Sequence, residues 1–306
     1  MRIKTVSAFS GACFGTLLML CILGMAAPSY SQLNPMEWKS AASRYSGFRP
    51  SHLALSPTGD RIALADNITG RILVIDYRGE VLWGAGENVK IEPPLTVAFD
   101  SENEILFTAA NTSLVFKCRE NEPQKIDTVA NLEEVFKRKI SVKQLVKRPG
   151  GDYLILDDKS GSILRADSSW EEGQVLISGG QGRGKLWAPS LMTVDFSGKI
   201  LVTDLKNYPL QVFDGNGKFL FYGGWDKPGL ERGWEATAVA VDRTERIVVA
   251  DRTNSQLRLY DQSGREINLL PLGYAPASIA AMTVTAAGQI YMIDEFRGLL
   301  SADWEN

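Results

Sequence analysis

The sequence predicts an all-β chain folded as a six-bladed β-propeller of four-stranded blades, and three observations carry that prediction. A strand-turn-strand phrase recurs: Ile200-Leu201-Val202-Thr203-Asp204 with Leu210-Gln211-Val212-Phe213-Asp214, Ile247-Val248-Val249-Ala250-Asp251 with Leu257-Arg258-Leu259-Tyr260-Asp261, and Ile62-Ala63-Leu64-Ala65-Asp66 with Ile72-Leu73-Val74-Ile75-Asp76. The aspartates that close its first half, Asp66, Asp157, Asp204, Asp251 and Asp294, are separated by one or two periods of about 46 residues, and six such periods fill residues 32–306. The chain between them is written in short apolar and β-branched runs, with one stretch of helical spacing. A period of roughly 40–50 residues made of short strands is what one four-stranded blade requires.

Taken in order, the chain opens with Arg2 and Lys4 ahead of an apolar run from Ala12 to Ala27, and then Ser29 and Ser31 place small side chains before Gln32. This is the build of a secretory signal peptide over residues 1–31, since the run is shorter than the ~20 residues a spanning helix needs. The expectation is an exported protein, periplasmic or extracellular, with no membrane span after cleavage; the alternative is a membrane tether formed by an uncleaved N-terminal segment. Cys13 and Cys21 would leave with the signal. Cys118 alone remains, so no internal disulfide is available and the fold must rest on packing. At the end of Leu114-Val115-Phe116-Lys117-Cys118 it reads as a small strand residue rather than a nucleophile.

The first strand of each unit is small and β-branched, as needed where six strands converge on a narrow axis: His52 to Leu55, Thr96 to Phe99, Val142 to Val146, Leu191 to Val194, Thr237 to Val241 and Ile279 to Val284. Fourth strands are expected at Val81 to Trp83, Gln174 to Ile177, Phe219 to Tyr222 and Ile267 to Leu270. The last unit stops after its third strand, Gly298 to Ala302, and would leave an unpaired edge. Part of the N-terminal segment Pro35 to Phe48 is therefore expected to pair there and close the ring. Asn131 to Ser141 carries Leu132, Val135, Phe136 and Ile140 on one side, which predicts a helix between the second and third blades.

Composition narrows the function. The 306 residues are 44% hydrophobic and 23% charged with a formal net charge of −3, so the chain can bury a large core and has no basic field to attract nucleic acid. The pattern of an apolar strand ending in Asp, a polar turn, then Leu/Val-Gln/Arg-Val/Leu-Phe/Tyr-Asp and Gly, clearest over Leu191 to Gly217 and Thr237 to Gly264, resembles the NHL repeat. That resemblance implies a β-propeller, often six-bladed, in a wider group that holds both binding modules and enzymes. Its gluconolactonase and regucalcin-like members imply a divalent metal held by Glu, Asn and Asp near the channel. This sequence has no Asn-Asp-Gly opening a second strand and no isolated Glu opening the first blade, which leaves Glu235 and Asp158 as off-repeat carboxylates near a channel mouth. The related amidating lyases rely on several zinc-binding histidines, whereas His52 is the one histidine here.

The repeated aspartates recur once per blade at a strand end, so they are expected to accept hydrogen bonds from turn amides rather than to gather around a metal. No cofactor is expected on this reading; calcium or zinc belongs to the enzymatic alternative. The glycine-rich Gly179 to Gly184 lacks the Lys-Ser/Thr ending of a phosphate loop. Binding candidates lie where loops entering first strands meet turns joining second and third strands: Arg183, Trp187, Lys206, Tyr208, Trp225, Trp234, Arg252 and Asn254. Aromatic area and fixed guanidinium donors suit recognition, while the same tryptophans could pack between blades. The sequence thus reads as a monomeric, non-catalytic binding module for a protein or a small-molecule or carbohydrate ligand. The alternative is a metal-dependent lactonase-like hydrolase or lyase.

Overall fold

The computed structural model describes residues 34–35, 47–86, 92–223, 234–272, 279–285 and 287–303. They form six four-stranded antiparallel sheets. Blade 1 runs through His52–Leu55, Arg61–Asp66, Arg71–Asp76 and Val81–Ala85; blade 2 through Pro94–Phe99, Ile105–Ala109, Leu114–Arg119 and Glu122–Asn131; blade 3 through Val142–Lys147, Tyr153–Asp157, Ser162–Ala166 and Gly173–Ile177. Blade 4 follows with Pro189–Val194, Ile200–Asp204, Leu210–Phe213 and Phe219–Tyr222, and blade 5 with Ala236–Val241, Ile247–Asp251, Gln256–Tyr260 and Glu266–Pro271. Blade 6 holds Ile279–Val284, Gln289–Asp294 and Gly298–Asp303, with the two-residue strand Asn34–Pro35 on its outer edge.

First strands of successive blades touch in a complete ring, from blade 1 through blade 6 and back to blade 1. That geometry sandwiches each second strand between neighbouring sheets. Tyr153–Asp157, Ile200–Asp204 and Ile247–Asp251 are accordingly buried at every position, which is why these strands read as unbroken apolar runs rather than alternating ones. Between blades 1 and 2, Val74 and Trp83 pack on Val97, Phe99 and Phe107. Between blades 4 and 5, Leu201, Leu210 and Val212 meet Ala236, Val239 and Tyr260. Each such fully buried aliphatic or aromatic side chain contributes about 1.5–3 kcal/mol. The outermost strands are wetter, as in Gly173–Ile177, where Gly173 to Val175 are exposed.

The helix between blades 2 and 3 is shorter than its sequence period suggests. It spans Leu132–Phe136, begins where the Asn131 side chain accepts from the Glu133 amide, and ends at Lys137, whose φ of 54° is left-handed. It lies against blade 3, where Gly173 makes room: a Cβ there would sit 2.6 Å from the Phe136 ring. Cys118 is a buried free thiol, pushed up to about 12 by burial, and is a packing residue.

At the chain's start, Asn34 pairs with Ser301 and Pro35 with Leu300, antiparallel to the third strand of blade 6. Residues 36–46 of the expected closing segment, and the signal peptide expected over residues 1–31, lie outside the described residues. Among the described residues no helix is long and apolar enough to cross a membrane.

Candidate functional site

Five of the six blades carry an aspartate-anchored turn between their second and third strands; blade 2 has Ala109 and Ala110 in that place. The Asp204 carboxylate accepts from the amides of Trp187 at 2.7 Å, Ala188 at 3.0 Å, Lys206 at 3.0 Å and Asn207 at 3.0 Å. It therefore ties its own turn to the loop that enters blade 4. Asp66 joins the Ile68 and Thr69 amides to that of Arg49, and Asp157 joins Ser141 to Ser160 and Arg138. Asp251 binds the Asn254 amide and the Arg258 guanidinium, and Asp294 the amides of Phe296 and Arg297. These carboxylates are turn residues spread around the ring, and the two loop sets they join form one face.

A second series, which the repeat reading overlooked, anchors the opposite face. Asp100, Asp195 and Asp242 follow first strands, and each accepts from the amide four residues on. Ser56 and Thr285 hold the equivalent place in blades 1 and 6. Burial works to raise the Asp242 carboxyl, but the Arg246 amide and guanidinium and the Thr244 hydroxyl outweigh it and hold it below the usual carboxylate range. The signal was present in the sequence as a polar residue at a fixed offset after each first strand.

On the loop face, Trp187 is 48% exposed, and Arg183 stands over the Phe219 ring, 4.8 Å from its centroid. Tyr208 stacks on Tyr222 at 3.6 Å, and desolvation together with the neighbouring Tyr208 pushes the Tyr222 phenol up to about 12. Lys206 is exposed, and exposed Arg252 faces Glu235 at 3.7 Å. Asn254 is exposed but committed to its own turn, and Trp234 packs inward. Asn254 donates its side-chain amide to Asp251 at 2.8 Å, and half-buried Trp234 packs on the core between blades 4 and 5 with the Arg258 guanidinium 4.4 Å above its ring. Trp225 lies outside the described residues. Sequence reasoning missed three exposed apolar side chains on the same face: Ile68 at 69%, Leu205 at 45% and Phe296 at 84%. All follow an anchoring aspartate by one or two residues, a position at which the backbone is fixed and the side chain points away.

The glycine-rich loop of blade 4 is held from beneath rather than open to a phosphate. Asn207 donates to the carbonyls of Gly182 at 3.0 Å and Lys185 at 2.8 Å, and Gln211 also donates to Lys185. A side chain at Gly179 would meet the Ser160 carbonyl at 1.9 Å, so glycine there serves close backbone approach.

An axial cavity of about 480 Å³ opens on the other face, lined by first strands and the turns that follow them. His52 forms part of its wall. Burial lowers this imidazole to about 4, and the neutral ring accepts from the Val97 amide at Nδ1 (3.4 Å) while Nε2 meets the Thr96 hydroxyl at 3.4 Å. Thr96 in turn accepts from the Leu145 amide, so His52 stitches blades 1, 2 and 3 together. Among the described residues the cavity wall offers one carboxylate, Asp195, already bound by the Lys199 amide and Ser197 hydroxyl. Glu235 pairs with Arg252 and Asp158 with Lys143, in different blades. The Asp100, Glu102 and Glu104 group is crossed by Lys117, 2.7 Å from both Asp100 and Glu104, and by Arg119. Among the described residues these donor sets do not converge on a calcium or zinc site in the channel.

No family model matches the chain, and no curated protein matches it. Solved structures share its fold. A putative gluconolactonase superposes with a TM-score of 0.64 at 12% identity, covering 90% of this chain and 93% of that one. The β-propeller domain of Cps50 (Swd1) from Myceliophteria thermophila gives 0.58 at 8% identity over 84% and 96%. Hydrazine synthase of Kuenenia stuttgartiensis gives 0.53 at 12% identity over 82% and 94%. At such identities the likeness is one of fold, and a fold does not select an activity.

Proposed function

We propose that this chain is a non-catalytic propeller that docks a protein partner on its loop face. The observation that carries the reading is that this face bears Ile68 of blade 1, Trp187 and Leu205 of blade 4 and Phe296 of blade 6, large apolar side chains left in solvent on turns and loops whose backbones are clamped by buried aspartates. Fixed turns lose little entropy on association, and apolar tips rimmed by Arg183, Lys206 and Arg252 have the make-up of an interface with a polar border.

The test compares affinity capture and cross-linking by the mature chain, by a variant with Ile68, Trp187, Leu205 and Phe296 changed to Ser, and by Phe196→Ser on the opposite face as control. Capture of one protein at fixed stoichiometry by wild type and control, lost in the fourfold variant, is the expected result. Equal capture by all three would sink the reading. The similarity to a putative gluconolactonase supports a second reading, a metal-dependent lactonase. Chelator-sensitive lactone hydrolysis by purified protein, with stoichiometric calcium or zinc on elemental analysis, would establish that reading instead.

A further inference from the structure

The axial cavity is a site of different character from the loop face. Its wall is mainly aliphatic, with Leu55, Val146, Met192, Val194, Val241 and Val284 around the axis. Several polar side chains of the first strands are turned to bind backbone across the gaps between blades. Gln144 donates to the Met192 carbonyl at 2.9 Å and accepts from the Met192 amide at 2.7 Å, while His52 and Thr96 satisfy one another and the Val97 and Leu145 amides. Thr193 and Thr283 remain as polar members of the lining. Such a wall favours an apolar guest.

The mouth adds three cationic side chains and one carboxylate, Asp195. Lys147, Arg148 and Arg243 line it. Arg148 is neutralised by Asp152, and Asp195 by Lys199 at 3.5 Å. Among the described residues neither Lys147 nor Arg243 has a carboxylate partner. Lys147 is half-buried with its ammonium 5.9 Å from the Tyr153 ring; burial lowers its pKa, and the more distant Asp100 and Glu102 carboxylates offset this only in part. Arg243 donates from Nη2 to the Thr58 carbonyl of blade 1 at 3.0 Å and stands 5.9 Å from the Phe196 ring of blade 4. Blades 5 and 1 are not neighbours, so this arginine reaches across the mouth.

We infer that the cavity binds an amphipathic anion, a carboxylate on an unbranched apolar chain, with the chain between the first strands and the head group at Lys147 and Arg243. Both cations would gain charge-assisted hydrogen bonds, and the aliphatic wall would be covered without any wall amide losing its partner.

Calorimetric titration of the mature chain with decanoate tests this, against acetate, which has the head without the chain, and decyltrimethylammonium, which has the chain with the opposite charge. Decanoate should bind one to one, weaken as salt rises, and bind about tenfold less tightly to Lys147→Met and to Arg243→Met. The loop-face variant with four serines should bind it unchanged. Failure of decanoate to bind, equal binding of the ammonium amphiphile, or an affinity insensitive to salt would each overturn the inference. The salt series uses wild-type protein and so stands even if a variant folds poorly. Unaltered affinity in two well-folded variants would overturn it as well.

Discussion

The two faces of the ring are anchored by the same device and differ in what stands beside it. On the loop face, Asp204 and its counterparts each hold a turn and an incoming loop, and the following residue changes from blade to blade: Asn67-Ile68, Leu205, Arg252, Glu295-Phe296. On the opposite face, Asp195, Asp214, Asp242 and Asp261 hold tight turns, most closing on a glycine of positive φ such as Gly198, Gly217 and Gly264. Repetition there leaves little room for a site on the turns themselves, and the opening lies at the axis. What repeats is structural, and what varies on an identical anchor is available for recognition.

The comparison can be broken or sharpened by measurement. Either face exists only while the ring is closed, so deletion of residues 33–48 is expected to have the largest effect, lowering the melting temperature by more than about 10 °C. An unchanged melt would remove the N-terminal segment from ring closure. Next come the anchors: Asp204→Ala on one face and Asp242→Ala on the other should each cost about 3–5 kcal/mol in urea denaturation, because buried amides lose a charged acceptor. A clearly smaller loss for Asp204 would mean that its carboxylate is held for something other than the turn.

His52 lies in the wall of the opposite-face cavity and gives a pH signature. Its folded pKa of about 4 is below the ordinary 6.5, so the unfolded chain takes up the proton first. Stability from this group is complete above pH 6.5 and falls as pH drops towards 4, by about 3 kcal/mol in all. With a single histidine in the chain, His52→Asn should flatten the stability curve across that window, and an identical slope in both proteins would refute the assignment. The smallest effect on folding belongs to the loop-face tips: Phe296→Ser and Leu205→Ser should shift stability by no more than about 0.5 kcal/mol while abolishing partner capture.

Much of this was legible in advance for identifiable reasons. The blade is a copied local unit, so its spacing, its all-buried second strands and the turn role of Asp204 follow from the order of residues. The predicted helix from Asn131 to Ser141 was cut to five residues by the left-handed Lys137, a backbone choice that apolar spacing does not record. Trp234 looked like a surface aromatic, yet Arg258, held by Asp251 at 2.7 Å and Glu266 at 2.8 Å, lies over its ring. That contact needs two strands brought side by side.

Sequence alone determined the all-β class, the six blades and the anchored turns, because hydrophobic period and turn chemistry act over a few residues and are repeated six times. Tertiary structure decided which apolar side chains stay in solvent and where cations with no direct carboxylate contact among the described residues meet an apolar wall. Ile68 and Phe296 are apolar letters like those of the core, and Lys147 and Arg243 are 96 positions apart in the chain. Only closure of the ring sets the first pair on one exposed face and the second at one mouth, since burial and electrostatic pairing depend on distance in space rather than along the chain.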